Sequence, residues 1–237
     1  MHEWYAAPME GLTGWRWRQV QHEMFGRAAL YVTPFVSPNG NFSFQRKELE
    51  ELDPERNRGI PVVPQILTNR AEYFVWAAKE CRSRGWAQVD LNLGCPSGTV
   101  TGKKKGAGLL RQPELLRQLL DGIFDALPDM KISVKTRIGW ERAEEWPALL
   151  ALLETYPICR LTVHPRVRTQ FYKGTADREV FRWTAEHTAL PLCYNGDVTT
   201  VRDLWEMGEA FPDDAVMVGR GLVADPSLLR QATGGPA

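Results

Sequence analysis

The sequence predicts a (β/α)8 barrel, and two observations carry that prediction. Short apolar segments alternate with longer amphipathic stretches along the whole chain, and eight such segments are present. The chain has 237 residues, which is close to the ~250 that a barrel of this kind typically needs. An open doubly wound sheet is the main alternative, because it shows the same alternation and differs in strand order. We favour the closed barrel.

The predicted strands are short, rich in apolar residues and bounded by turn-forming residues. They are Trp4–Ala7, Leu30–Pro34, Val62–Leu67, Gln88–Leu93, Ile132–Arg137, Arg160–His164, Pro191–Asn195 and Ala215–Val218. Helices are predicted between them, among others at Arg70–Arg84, Pro113–Ala126, Ala143–Glu154 and Thr200–Gly208. Thr199 and Thr200 offer an N-cap for the last helix, and Asp203 lies three residues after Thr200.

Charge and cysteine content exclude several classes of function. The 29 basic and 29 acidic side chains leave no formal net charge, so no overall field attracts nucleic acid, although a local basic patch remains compatible. The four cysteines show no Cys-x-x-Cys spacing and indicate neither a zinc site nor a disulfide framework. The first residues do not resemble a signal peptide, and no segment approaches the ~20 apolar residues of a membrane span. We therefore expect a cytoplasmic protein with no membrane or metal partner.

The most informative turn is Gly94-Cys95-Pro96, directly after the predicted strand Gln88–Leu93. A free cysteine is often only a small buried apolar residue. In a barrel, however, the active face is formed where the strands end. A thiol held between glycine and proline at that face is well placed for chemistry, and Cys95 is a catalytic candidate.

Polar and glycine residues lie on or just after other predicted strands, toward the same face. They are Glu10, Gln65, Asn92, Lys135, Arg137, His164, Arg166 and the turns Asn195-Gly196-Asp197 and Gly219-Arg220-Gly221. Glycines in the last two turns let backbone N–H groups approach an anion, and barrels often bind phosphate after strands seven and eight. Either turn alone is more typical of a simple tight turn. The presence of both turns at successive strand ends favours a phosphate site.

Lys135 lies inside a predicted strand that offers little other reason to hold a cation. It could form a Schiff base, bind a phosphate, stabilise an anionic ring or extend to solvent. With Gln65 and Asn92 nearby in the predicted barrel, a planar polar ligand such as a flavin ring fits these groups. His164, beside Arg166, is interpreted either as a structural histidine or as a contact to an anion or a base edge.

A run of three lysines, Lys103, Lys104 and Lys105, follows the cysteine turn between two glycines. Such a run is commonly solvated surface. At the active face it could instead be a mobile loop that grips substrate phosphates. Both interpretations stay open at this point.

Taken together, these motifs resemble the dihydrouridine synthases, flavin enzymes that reduce uridine in tRNA. The matching segments, in family order, are Ala7–Gly11, Val63–Gln65, Asp90–Ser97, Gly106–Leu110, Val134–Trp140, the spaced residues His164, Arg166, Arg168, Gln170, Tyr172 and Gly174, and the turns Asn195–Asp197 and Val218–Gly221. The resemblance runs from one end of the chain to the other.

The resemblance implies FMN at the barrel mouth and NADPH as the reductant. The implied cofactor-binding residues are Pro8, Met9, Glu10, Gln65, Asn92, Lys135, His164, Asn195, Gly196, Asp197, Gly219 and Arg220. Hydride is expected to pass from N5 of FMN to C6 of uracil, and Cys95 to protonate C5. A thiol pKa of ~8.5 keeps the acid form at neutral pH. Lys135 and His164 are the other catalytic candidates.

The same resemblance implies an RNA partner, tRNA or another RNA. The implied RNA contacts are Arg166, Arg168, Lys103, Lys104 and Lys105. We expect residues 1–231 to form one FMN-binding catalytic barrel and 232–237 a short tail. Dihydrouridine synthases usually carry a C-terminal helical domain that helps to hold tRNA. We expect a short form without that domain, in which a protein partner could replace it.

Two alternative functions follow from the same residues. One is a flavin reductase of a free pyrimidine or another small substrate, similar to dihydroorotate dehydrogenase. The other is a non-catalytic homologue that binds flavin or RNA.

Overall fold

The computed structural model describes residues 2–26 and 28–236, and its strands form a parallel barrel. They are β1 (Trp4–Ala6), β2 (Leu30–Val32), β3 (Val62–Val63), β4 (Gln65–Ile66), β5 (Gln88–Leu93), β6 (Lys131–Arg137), β7 (Arg160–His164), β8 (Leu192–Tyr194) and β9 (Ala215–Val218). Their order is β3-β2-β1-β9-β8-β7-β6-β5-β4, and each pairing is parallel. Since only Pro64 separates β3 from β4, the two share one of eight positions. The predicted barrel is confirmed.

Pro64 interrupts the third position because proline cannot donate a ladder hydrogen bond. The hydroxyl of Thr33 accepts from the Gln65 N–H at 3.0 Å, and the Pro64 carbonyl accepts from the Asp90 N–H at 2.8 Å. These bonds join β2, the interrupted strand and β5. Gln65 is thereby fixed as a fully buried residue at the start of β4.

Helices lie between the strands along the chain. They are α1 (Trp15–Val20), α2 (Arg46–Glu51), α3 (Ala71–Ser83), α4 (Gly98–Thr101), α5 (Pro113–Ala126), α6 (Trp146–Leu153), α7 (Arg178–His187), α8 (Val201–Ala210), α9 (Arg220–Ala224) and α10 (Leu228–Ala232). The helix predicted over 143–154 begins as a 3-10 turn, Ala143–Glu145, because Pro147 cannot donate an α-helical bond to the Ala143 carbonyl.

The predicted cap of α8 is confirmed. The Thr200 hydroxyl accepts from the Asp203 N–H at 3.1 Å, and the Asp203 carboxylate accepts from the Thr200 N–H at 2.8 Å. This reciprocal pair satisfies two N–H groups that have no partner inside the helix. It fixes the start of α8 just after the turn that follows β8.

Alternation along the strands creates two environments. Outward side chains pack under the helices in the main core, as Leu91 and Val134 do. Inside the barrel, a smaller apolar cluster contains Tyr5, Ala7, Val32, Cys193, Ala215 and Met217. At the C-terminal ends of the strands the interior is polar, with buried Asp90, Asn92 and His164. The polar site therefore lies above a packed apolar base.

The described residues contain neither a membrane-spanning helix nor a metal-binding cluster. No helix in 2–26 or 28–236 is long and apolar enough to cross a bilayer. Within the same ranges, no group of three or more His, Cys, Asp or Glu side chains is arranged to hold a metal ion.

Candidate active site

A cavity of about 290 Å³ opens at the C-terminal ends of the barrel strands. The predicted cofactor-binding residues and Cys95 all line it: Pro8, Met9, Glu10, Gln65, Asn92, Cys95, Lys135, His164, Asn195, Gly196, Asp197, Gly219 and Arg220. These residues come from positions 8 to 220 of the chain, and the barrel brings them together around one cavity. Arg166, Arg168 and Lys103–Lys105 do not line this cavity.

A chain of buried side chains connects the barrel interior to the Cys95 turn. Gln65 Nε2 donates to the carboxylate of Asp90 at 2.8 Å, and Gln65 Oε1 accepts from Asn92 Nδ2 at 2.7 Å. Asn92 Oδ1 then accepts from the N–H groups of Gly94 and Cys95 at 3.0 and 2.9 Å. Because an ionised carboxylate can only accept, Asp90 determines which way both amides face. Asp90 therefore sets the donor-to-acceptor direction of this whole series of hydrogen bonds.

The ionisation of Asp90 is itself shifted. Burial raises the pKa of Asp90 to about 6, while hydrogen bonds from Ser133 and Gln65 and the charge of Lys135 oppose that rise. The Ser133 hydroxyl donates to the second carboxylate oxygen at 2.7 Å. At neutral pH the carboxylate is ionised and fully engaged as an acceptor.

The turn that carries Cys95 is also held by two arginine side chains. Arg137 Nε donates to the Gly94 carbonyl at 3.0 Å, and Arg168 Nε donates to the Pro96 carbonyl at 3.1 Å. Gly106 has φ +54°, and a Cβ there would lie 3.0 Å from the Cys95 carbonyl oxygen. Glycine is therefore required where the following loop packs on the turn.

The thiol of Cys95 is half-buried and faces the cavity. Burial raises the pKa of the Cys95 thiol, although Arg137 and Lys135 act in the opposite direction. A raised pKa keeps the sulfur protonated at neutral pH. The group is suited to donate a proton rather than to attack as a thiolate.

Lys135 presents a cation to the same cavity. Its Nζ donates to Asn195 Oδ1 at 2.7 Å, and Asn195 Nδ2 donates to the Met217 carbonyl at 2.8 Å. Burial, together with the nearby charge of Arg137, lowers the pKa of Lys135 to about 8. An anionic or acceptor-rich ligand would favour the charged form.

His164 is neutral, and its tautomer follows from one contact. Burial lowers the pKa of His164 well below its usual value, and surrounding cations, first Lys135 and Arg137, act in the same direction. Arg166 Nη1 lies 3.0 Å from His164 Nε2. A guanidinium can only donate, so Nε2 accepts and Nδ1 carries the hydrogen. His164 therefore offers a neutral donor at Nδ1.

Arg166 is only 1% exposed and is bonded within the protein. Its Nη2 donates to Asp197 Oδ2 at 2.5 Å and to the Gly174 carbonyl at 2.6 Å. Arg220 Nη2 donates to the other Asp197 oxygen at 2.8 Å. A carboxylate repels phosphate, so the Asp197 side chain serves to orient the two arginines. Arg166 is thus a positioning residue, and its burial does not support the expected direct contact with RNA.

The loops after β8 and β9 pack closely enough to require glycine. A Cβ at Gly221 would lie 2.4 Å from the Val198 carbonyl oxygen. Asp197 has φ 48°, in the left-handed region, where Asp and Asn are enriched among non-glycine residues. This close approach brings Arg220 beside the turn 195–197.

Comparisons with known proteins agree with this geometry. The sequence model of the dihydrouridine synthase (Dus) family matches residues 5–235. The chain belongs to the dihydrouridine synthase family. The probable tRNA-dihydrouridine synthase of Rhizobium leguminosarum bv. phaseoli is 33% identical over 221 residues, covering 93% of this chain and 68% of that protein. The one from Rickettsia conorii is 30% identical over 226 residues, covering 95% and 67%.

Solved structures show the same barrel at low sequence identity. Morphinone reductase superposes with a TM-score of 0.67 at 12% identity, covering 99% of this chain and 86% of that chain. Histamine dehydrogenase from Rhizobium sp. 4-9 superposes with a TM-score of 0.70 at 13% identity, covering 98% and 45%. These likenesses show the fold alone.

As a dihydrouridine synthase family member, the protein is a flavin-dependent oxidoreductase. The cavity fits that cofactor on its own chemistry. The Lys135 ammonium reaches the cavity, where the amide oxygen of Asn195 accepts its hydrogen bond. Among residues 2–26 and 28–236, no carboxylate oxygen lies within 4 Å of that ammonium. Gln65 and Asn92 each keep a second amide hydrogen beyond the bonds described above. Arg220 adds a cation at the glycine turns, where a phosphate would lie.

The other predicted RNA contacts lie outside the cavity. Lys103 and Lys104 are exposed, whereas Lys105 is half-buried and its Nζ donates to Ser37 Oγ at 3.1 Å. Arg168 spans from the Pro96 carbonyl to Thr101 Oγ1, the latter at 3.2 Å. Arg168 thus supports the Cys95 turn, and exposed Lys103 and Lys104 remain predicted RNA contacts of this family member.

Sequence reasoning missed Asp90 and gave Arg137 no specific role. Asp90 lies two residues before Asn92 on β5, so strand alternation alone could have placed both on the inner face. Arg137 was noted only as a basic strand residue. It is 2% exposed and joins the Gly94 carbonyl to the Val167 carbonyl, the latter at 3.1 Å.

Proposed function

We propose that this family member reduces a uridine of tRNA to dihydrouridine, with FMN in the cavity and NADPH as the external reductant. When bound, FMN supplies the hydride that C6 of the uracil receives. The observation that carries the proposal is that Cys95, whose thiol pKa is raised by burial, lines the same cavity as Lys135 and Asn195. The choice of NADPH rests on the sequence resemblance.

The protein groups then have separate tasks. Cys95 Sγ gives its proton to C5 of the uracil, and the surrounding turn keeps that sulfur in place. Lys135 and Arg220 bind the anionic and acceptor-rich parts of the cofactor, Lys135 at the ring and Arg220 at the phosphate. His164 donates from Nδ1 without adding a charge.

The test is to incubate the purified, flavin-loaded protein with NADPH and an unmodified tRNA transcript. We expect dihydrouridine in the digested RNA by mass spectrometry, with no turnover of free uridine or uracil. Turnover of the free pyrimidine instead of tRNA would replace the proposal with a small-substrate reductase. A flavin-loaded protein that turns over neither would indicate a non-catalytic homologue. A parallel reaction with NADH tests the choice of reductant.

Flavin affinity should fall as the pH rises through about 8, the pKa to which burial lowers Lys135. Below that pH the ammonium is charged; above it, binding must first restore the proton, which weakens affinity by up to about tenfold per pH unit. The measurement is a titration of FMN fluorescence quenching between pH 6.5 and 9.5. Lys135→Met, the matched control, should bind FMN about tenfold more weakly at pH 7 and lack the step near 8. A wild-type profile that stays flat would contradict the role given to Lys135.

A further inference from the structure

An aromatic surface with one exposed ring lies where the loop after β2 meets α3, and the mechanism above does not use it. We define the aromatic surface as Phe42, Phe44, Tyr73 and Trp76. The Phe42 ring meets Tyr73 edge-on at 5.3 Å and Trp76 at 6.1 Å, and Phe44 lies 4.7 Å from Trp76. Phe42 nevertheless remains 44% exposed. Phe44 and Trp76 are partly buried against the main core, so Phe42 is the ring that this surface exposes.

The backbone presents Phe42 in a conformation that a bulky residue rarely adopts. Its φ is 51°, in the left-handed region, where a bulky residue is strained. The turn is held by Asn39, whose carbonyl accepts from the Phe42 N–H at 3.1 Å and whose side chain accepts from the Asn41 N–H at 2.9 Å. Burial of the ring does not offset this cost. The strained, exposed tip points to a role in contact with another molecule.

Cations surround the aromatic surface. The Arg70 guanidinium lies 5.3 Å from the centre of the Tyr73 ring, and its side chain is 60% exposed, with Glu72 at 3.5 Å. Asn69 Nδ2 donates to the Lys103 carbonyl at 3.0 Å, which places the exposed Lys103 and Lys104 beside the start of α3. Segment 37–45 contains no acidic residue. The combination of stackable rings and exposed cations matches single-stranded nucleic acid.

The segment that carries Phe42 and Phe44 adjoins the loops of the cavity. Pro34 and Phe35 line the cavity, and segment 37–45 begins two residues after Phe35. Lys105, in the loop after Cys95, donates from Nζ to Ser37 Oγ at 3.1 Å. Two connections therefore join this segment to the cavity loops, one along the chain and one through Lys105.

We propose that the aromatic surface binds an unpaired nucleotide of the RNA that carries the target uridine. The base stacks on Phe42, while Arg70, Lys103 and Lys104 contact the adjoining phosphates. Stacking on an aromatic ring tolerates any base, so the surface fixes the course of the RNA chain rather than its sequence. This inference rests on the proposed function in taking RNA as the substrate.

The test compares Phe42→Leu, Phe42→Trp and Phe42→Ala in the full-length, flavin-loaded protein, with an unmodified tRNA transcript as the probe. All three keep a side chain at the strained position, so they share its backbone cost. We expect the leucine and alanine variants to bind about tenfold more weakly by fluorescence anisotropy. The tryptophan variant should bind as well as wild type. KM for the RNA should rise with Phe42→Leu while kcat stays within about twofold, a split that a merely structural role would not produce.

Trp205→Leu is the matched control, because Trp205 is 55% exposed and lies on α8, away from the aromatic surface. It should leave RNA affinity unchanged. The double variant Lys103→Ala/Lys104→Ala should lower the slope of log Kd against log salt by up to about 0.7 for each lost phosphate contact. RNA affinity of Phe42→Leu within twofold of wild type would overturn the inference and leave a protein as the occupant. Failure of wild-type protein to bind RNA would overturn the proposed function as well.

Discussion

Cys95→Ala is expected to lower dihydrouridine formation by about 10²- to 10⁴-fold, the range typical of a lost general acid. FMN content should be unchanged, because the substitution removes only the thiol. The side chains of Asn92, Arg137 and Arg168 still bond to the backbone of the turn. The measurement is the single-turnover rate at saturating tRNA. Equal rates in the two proteins would contradict the role of Cys95 as proton donor.

The pH profile gives the same prediction a second readout. The donor is the protonated thiol, and burial raises its pKa, so the rate should hold through neutral pH and fall only on the alkaline side. Cys159→Ala is the matched control, because Cys159 is also half-buried but does not line the cavity. It should keep both the wild-type rate and the alkaline fall.

Asp90→Ala is expected to lower the rate by about 100-fold and to destabilise the fold. It removes the acceptor for Gln65 Nε2, and a buried unpaired donor costs about 1–3 kcal/mol. Gln65 can then rotate, Asn92 loses its fixed orientation, and the N–H groups of Gly94 and Cys95 lose their acceptor. Measured quantities are the rate and the unfolding temperature of the flavin-loaded protein.

Asp90→Asn separates hydrogen bonding from charge. Its amide oxygen can still accept from Gln65, so the direction of the amide chain and most of the rate should be retained. Because burial raises the pKa of Asp90 to about 6, the stability that protonated Asp90 contributes in wild type is lost as the pH rises from about 4 towards 6. The asparagine variant should lack that loss. Equal rates in the alanine and asparagine variants would show that Asp90 does not orient the Gln65 and Asn92 amides.

The barrel was predictable because its signals are local. Apolar runs such as Gln88–Leu93, ended by glycine and proline, identify strands without knowledge of their partners. In a barrel the ends of such strands must meet, so the candidates Cys95, Lys135 and Asn195 followed from position alone. Pro64 divides the third predicted strand into β3 and β4 but does not change its position in the barrel.

The connections between side chains were not predictable. Asp90 contacts a residue 25 positions away and Arg166 one 31 positions away, and neither pairing has a periodic signature. Arg166 was expected at the substrate because arginine commonly binds phosphate. Its burial depends on the carbonyls of a loop whose course sequence patterns do not specify. The aromatic surface was missed because Phe42 and Phe44 precede α2, β3 and β4, whereas Tyr73 and Trp76 follow these elements on α3.

The 29 basic and 29 acidic side chains leave the protein without net charge, and carboxylates lie among the cations of the cavity and of the aromatic surface. Asp197 bonds to both Arg166 and Arg220, and Glu72 lies 3.5 Å from Arg70. Because paired charges exert little field at long range, this end of the molecule attracts a distant polyanion only weakly. We therefore expect RNA recognition to depend on close contacts and to involve little non-specific adhesion to other nucleic acid.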